Sequence, residues 1–183
     1  GFQQTTLVQV TDVLGNPQDP GMEIKVALHR HGILDGWTDE EFDLAESFGD
    51  AVAEKDKLGR VDYRHLSFMT IDGSDARDFD DAVYCERINS ASGSQEWRLM
   101  VAIADVSHYV RPDDALDIEA QNRATSIYFP GYVVPMLPET LSNGLCSLNP
   151  NVDRLAMVCD MTINAKGIVT SSEFSEAVIH SHA

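Results

Sequence analysis

The chain has 183 residues, with 30 acidic and 13 basic side chains, a formal net charge of −17 and a sequence pI of about 4.4. Hydrophobic residues make up 43% and charged residues 23%, which excludes a disordered chain and allows one large domain, or one domain plus part of another. The charge taken alone argues against a general nucleic-acid binder, which carries a basic face. In chain order, "TTLVQVTDVL" (5–14) alternates apolar and polar residues and predicts a strand. "GNPQDPG" (15–21) is a turn, and "MEIKVALHRHGI" (22–33) reads as a second strand with a short helical continuation. Thr38 with Glu41 three residues on is a capping-box pattern. It opens a helix that places Phe42, Ala45, Phe48 and Val52 on one face, carries acids on the other, and ends near Gly59.

From residue 66 the pattern turns to strands. "LSFMTI" leads into an acidic stretch, and "AVYCERI" and "WRLMVAIADV" are strand-like, joined by the polar "NSASGSQE" as a hairpin loop. "PDDALDIEAQNRATS" (112–126) begins with proline and acids and predicts a helix. "LAMVCDMTI" and "GIVTSSEFSEAVI" are two further strands around the turn "NAKG". The class is α+β, with a mixed sheet and flanking helices. Three cysteines, Cys85, Cys146 and Cys159, stand far apart without a CxxC or Cys/His cluster. That argues against a zinc site or a disulfide framework and fits a reducing, cytoplasmic setting. No apolar run approaches the roughly 20 residues of a membrane span. No signal peptide is visible, and a first residue of glycine leaves the native N-terminus expected elsewhere.

"TIDGSDARDFDDA" (70–82) crowds five aspartates around one arginine. If exposed, all are ionised at neutral pH and repel one another, so water, a cationic partner or a metal must offset them. Asp72, Asp78, Asp80 and Asp81, at i, i+6, i+8 and i+9, cannot converge from one regular element. In a strand Asp80 and Asp81 face opposite sides; in a helix Asp78 and Asp81 share a face that Asp80 leaves. An irregular loop is needed, and Gly73, Ser74 and Ala76 permit one between two apolar strands. A solvated acidic loop is the bland reading. The functional reading is an oxygen-lined site for a hard cation such as Mg²⁺, which takes carboxylates, water and substrate phosphates. An EF-hand is excluded, because Arg77 stands at its glycine position and Val83 at its twelfth. Paired Mg²⁺ ions between aspartates are also a common arrangement for phosphodiester hydrolysis. Arg77 is expected to balance charge locally. Asp105 reads as a strand-end turn residue, and His108, His180 and His182 show no metal-like spacing with the aspartates. "LSNGLCSLNP" (141–150) reads equally as a packed connector or as a backbone contact to RNA phosphates.

"TIDGSDARDFDDAVYCE", "VAIADVSHYV", "TSIYFPGYVVPMLPETLSNGLCSLNP" and "VDRLAMVCDMTI", in that order, resemble the catalytic (RNB) domain of the ribonuclease II/ribonuclease R family. The match runs from about residue 60 to the end, and several long motifs in register are far more specific than one short pattern. More weakly, residues 1–36 resemble the end of the family's second cold-shock domain, an OB-fold, with 37–59 as a connecting helix and 60–183 as the first part of the RNB domain. The resemblance implies a processive 3′→5′ exoribonuclease that uses Mg²⁺, with Mn²⁺ as the alternative, and acts on the single-stranded 3′ end of RNA to release nucleoside 5′-monophosphates. The family's four active-site aspartates fall on Asp72, Asp78, Asp80 and Asp81, which bind metal and activate water; Asp80 matches the member given the most critical role. Asp75 falls outside the set. A family tyrosine that stacks near the 3′-terminal base matches Tyr128, which without the resemblance reads as ordinary core packing.

The family's catalytic domain continues with a further arginine, more RNA-channel surface and an S1 domain, and a first cold-shock domain precedes it. On that resemblance the chain is expected to be an inactive fragment, with much of the phosphate-neutralising charge in the other segments. The alternative is a non-catalytic acidic metal-binding or interaction module of the same fold.

Overall fold

The structure, a computed structural model, describes residues 9–74, 76–89, 93 and 95–182. The chain divides into two compact units, 1–36 with 128–134, and 37–127 with 135–183. In the first unit the segment expected as a strand is a helix, α1 (Met22–His31). Its Met, Glu, Lys, Ala, Leu and Arg are good helix formers, and their summed propensity outweighs the short apolar run. Gly21 (φ 78°) and Gly32 (φ 65°) bound it in the left-handed region, and Gly32 returns its N–H to the carbonyls of Leu28 and His29. Glu23 in the first turn and His29, Arg30 and His31 in the last complement the helix dipole. Residues 5–8 of the expected first strand lie outside the described residues, and 9–14 form no strand.

In the second unit α2 (Asp39–Glu46) begins with the expected capping box. Thr38 Oγ1 accepts the Glu41 N–H at 3.3 Å, and Glu41 Oε2 accepts the Thr38 N–H at 2.7 Å. The helix stops well before Gly59. Gly49 takes φ 75°, and the chain turns before a separate short helix, α3 (Glu54–Lys57). Ala45 and Val52 are buried and Phe48 packs with them, as the spacing predicts; Phe42 is 52% exposed, off the buried face.

Five strands form the expected mixed sheet: β1 (Val61–Asp62), β2 (Asp81–Asn89), β3 (Gln95–Ala104), β6 (Asp153–Asn164) and β7 (Val169–His180). Their order is β1-β7-β6-β3-β2, with β1 parallel to β7 and the other pairs antiparallel. Gly167, at φ 77°, makes the β6–β7 turn. After β3 a single 3₁₀ turn (Val106–His108) leads to α4 (Ala115–Arg123), whose N-cap, Asp114, accepts the Asp117 N–H at 2.8 Å. Strand β4 (Ile127–Phe129) pairs with β5 (Tyr132–Val134) in a separate two-stranded ribbon. "LSFMTI" is not a strand; only Met69 bridges to Val83.

Apolar residues cover part of each sheet face. On one, Ala82, Ala102, Ala104, Ala156 and Ala177 leave shallow ground that Phe68 and Leu148 fill. On the other, Leu155 and Val178 meet Ala45, Leu116, Leu141 and Leu145. Each large side chain so buried contributes roughly 1.5–3 kcal/mol. The register puts the start of β2, the end of β3, the start of β6 and the end of β7 at one end of the sheet, in the row Asp81–Ile103–Met157–Glu176.

Asp153 ties that end together. Its Oδ2 accepts from Lys57 Nζ at 2.7 Å and Arg64 Nη1 at 3.1 Å, and His180 Nδ1 lies 3.0 Å from Oδ1. Burial alone would raise its carboxyl, but the bonds from Lys57, His180 and Arg64 lower it to about 2. A depressed carboxylate stabilises the fold above its unfolded value, and that stability is lost as pH falls through the folded value. Asp153→Asn is therefore expected to cost about 2 kcal/mol at pH 7, a difference that shrinks below pH 4 toward pH 2. Denaturant unfolding of the two proteins across pH checks it.

Candidate active site

The acidic stretch runs from the Met69–Val83 bridge to the first residue of β2. Asp72 is exposed in the loop, Asp78 is half-buried, Asp80 is the last loop residue, and Asp81 opens β2. The loop is irregular, as the spacing requires, and its backbone is fastened at several points. Ala76 donates to the Gly73 carbonyl at 3.0 Å. The Phe79 N–H donates to Ser147 Oγ at 2.9 Å, and that hydroxyl donates to the Arg77 carbonyl at 2.8 Å. The Leu148 N–H bonds the Phe79 carbonyl at 2.8 Å, and the Ala104 N–H bonds the Asp80 carbonyl at 2.9 Å. Phe79 also packs its ring against the alanine-rich core. One apolar residue among the aspartates thus anchors the acidic loop to the sheet.

The four aspartates share one electrostatic neighbourhood. The Asp80 carboxyl is raised above the usual carboxylate range, first by partial burial, then by the charges of Asp78, Asp81 and Asp72. The charges that raise it, those of Asp78, Asp81 and Asp72, are all negative. Among the described residues no three carboxylate, imidazole or thiolate groups stand together as a finished metal cage; Asp75 lies outside the described residues. The donor chemistry fits a hard divalent cation: oxygen ligands in excess, with one carboxyl held protonated more readily by like charges that a cation would offset.

Beside the loop lies an open cleft of about 520 Å³, lined by Arg77, Phe79, Thr140, Asn143 and Asn149 among others. Of the two readings of "LSNGLCSLNP", the structure shows the packed connector: Leu141, Leu145, Cys146, Ser147 and Leu148 are buried. Asn143 and Asn149 reach the cleft from the same segment.

Tyr128 lies on β4, in the other unit from the aspartates, and is 64% exposed, so it is not the core residue its composition alone suggests. Asp105 is a strand-end residue as read, but a buried one. Its Oδ2 accepts from Arg60 Nη2 at 2.6 Å and its Oδ1 from Ser107 Oγ at 2.8 Å. Those bonds outweigh burial and hold its carboxyl below the ordinary value. His108 pairs with Asp56 and His180 with Asp153, both in structural roles. Sequence reasoning missed Ser147 and Arg154. Neither belongs to a periodic pattern, and their place behind the acidic loop comes only from the tertiary fold.

The RNB domain profile matches residues 60–183, more than half of the chain, and the chain belongs to that family. It is 56% identical over 175 residues to ribonuclease R of Vibrio parahaemolyticus, covering 96% of this chain and 20% of that protein. The structure of Mycoplasma genitalium RNase R in complex with double-stranded RNA superposes with a TM-score of 0.83 at 39% identity, covering 94% of this chain and 30% of that one. Yeast Ssd1, a pseudonuclease, shares the fold at 18% identity and a TM-score of 0.71, over 92% of this chain and 21% of Ssd1. The chain spans about a fifth of the length of the ribonuclease R proteins of Vibrio parahaemolyticus and Escherichia coli.

Proposed function

We propose that Asp72, Asp78, Asp80 and Asp81 are the metal-binding carboxylates of a 3′→5′ exoribonuclease that hydrolyses RNA to nucleoside 5′-monophosphates. The observation that carries this reading is the placement of the four aspartates on a loop tied to the sheet, where the Asp80 carboxyl is raised first by partial burial and then by the charges of Asp78, Asp81 and Asp72. The fold alone does not carry it, since a pseudonuclease shares the fold. The four residues would hold Mg²⁺, or Mn²⁺ in its place; when bound, such ions supply an activated water and offset charge on the attacking and leaving oxygens.

The protein's own part is positional. Phe79 and the backbone bonds around it fix the carboxylates on a rigid base. Asp78 and Asp80 keep oxygen donors on either side of that anchor, and Asp81 adds one from the start of β2. Tyr128 offers an exposed ring on which the 3′-terminal base stacks, a contact that tolerates every base and is worth roughly 1–3 kcal/mol. The partner is the single-stranded 3′ end of RNA, and the whole protein works in the cytoplasm.

The full-length protein, given a 5′-labelled oligoadenylate with Mg²⁺, is expected to release nucleoside 5′-monophosphates stepwise from the 3′ end. EDTA is expected to stop release, and added Mg²⁺ to restore it. RNA bound but never shortened would favour the non-catalytic module.

A further inference from the structure

The buried Arg154 and Ser147 form a strut behind the acidic loop. Ser147 is fully buried, and its one hydroxyl closes two backbone groups of the loop at once: it accepts from the Phe79 N–H at 2.9 Å and donates to the Arg77 carbonyl at 2.8 Å. Those two groups flank Asp78, and Phe79 is the residue just before Asp80. No ladder bond from a strand serves them, because the loop is irregular here. Ser147 is held in turn by Arg154, whose Nε donates to the Ser147 carbonyl at 2.8 Å and whose Nη1 donates to the Asp153 carbonyl at 3.0 Å.

Arg154 is 6% exposed and forms no ion pair with a carboxylate among the described residues. A buried guanidinium spent on backbone carbonyls is expensive, and apolar side chains fill such space more cheaply. A fully buried hydroxyl between two loop amide groups is likewise a specific choice over alanine. Both costs fall behind the same four residues, 77 to 80.

We infer that Ser147 and Arg154 are positioning residues for the metal-binding carboxylates. Neither touches substrate or metal. Ser147 fixes the backbone on both sides of Asp78, which sets where the Asp78 and Asp80 carboxylates stand, and Arg154 fixes Ser147. This rests on the reading of the four aspartates as metal ligands.

The test compares wild type, Ser147→Ala and Asp80→Asn in the full-length protein, with Mn²⁺ binding followed by electron paramagnetic resonance and hydrogen exchange measured without metal. For Ser147→Ala, Mn²⁺ affinity is expected to fall about 10–100-fold, the scale for outer partners of metal ligands. Without metal, exchange in the peptide covering residues 76–82 should quicken about fivefold or more, while β3 and β6 stay protected. In turnover, kcat should fall and recover in part at high Mg²⁺, with KM for RNA little changed. A merely structural role would lower thermal stability and leave Mn²⁺ affinity untouched; that result overturns the inference. If Ser147→Ala loses protection across β3 and β6, Ser147→Cys keeps the volume with a weaker donor, and the same weakening of Mn²⁺ binding is expected of it. Unchanged binding in that folded variant overturns the inference too. Binding lost in Asp80→Asn but intact in the Ser147 variants sinks only the strut. Binding intact in Asp80→Asn sinks the metal reading beneath it.

Discussion

Asp80→Asn in the full-length protein is expected to abolish release of nucleoside monophosphates, by about 10³-fold or more, the scale for groups acting directly on reacting atoms, while RNA binding persists. Asp80 is the carboxyl on which the other three act, and its own backbone carbonyl is pinned by the Ala104 N–H at 2.9 Å. Asparagine keeps the size and removes the charge. The fold is expected to survive, because the anchoring belongs to Phe79 and to backbone groups, not to the Asp80 side chain. RNA affinity comes mainly from phosphate contacts made by basic groups, which this change leaves alone. Removing one of four crowded negative charges also relieves repulsion, so the metal-free variant is expected to be at least as stable as the parent. A gel assay for release, beside filter binding of the same RNA, measures both. Near-normal hydrolysis would refute the assignment.

The isolated polypeptide of residues 1–183 is expected to bind RNA poorly and to show little exonuclease activity. Its net charge of −17 sets up a field that repels a polyanion. In-line attack needs the scissile phosphate held in place, and misplacement by about 1 Å can cost on the order of 10²-fold. The relatives it resembles are about five times as long, and on the proposed reading their remaining length supplies most of the surface that grips the strand. The sheet adds a second expectation. Ile103 (48% exposed) and Met157 (39%) alternate with the buried residues of β3 and β6, and with Phe174 (70%) on the exposed part of β7 they leave apolar groups uncovered on one face. The isolated polypeptide should therefore self-associate. Turnover comparable with the full-length protein, on labelled oligoadenylate with Mg²⁺, would show that these residues suffice.

Strands β2, β3, β6 and β7 were legible in the sequence because their β-branched and apolar residues recur over 9 to 12 positions, and the turn at Gly167 is explicit. The capping box at Thr38 was legible because it is local chemistry. Residues 22–33 misled because a short apolar run has no decisive period, and helix propensity decided it. The length of α2 misled because Val52 keeps the apolar spacing although the helix has already ended, so a buried residue after a turn mimics one more helical turn. For the site, charge crowding marked the acidic stretch and spacing the need for an irregular loop, while the choice of Asp72, Asp78, Asp80 and Asp81 over Asp75 came from the family resemblance. Ser147 could not be foreseen. Its partners lie 68 and 70 residues away in sequence, and a serine in a turn-rich segment carries no mark of which backbone it will clamp.

Titration of Mn²⁺ or Mg²⁺ into the polypeptide by calorimetry, beside the variant with Asp80→Asn and Asp81→Asn together, tests most directly whether the four aspartates form a metal site. Weak binding to the parent is expected, strengthening as pH rises through the elevated Asp80 value, since a proton and the cation compete for that carboxylate. That binding is expected to be lost in the double variant. Binding unchanged when both charges are removed would contradict a metal site at the four aspartates.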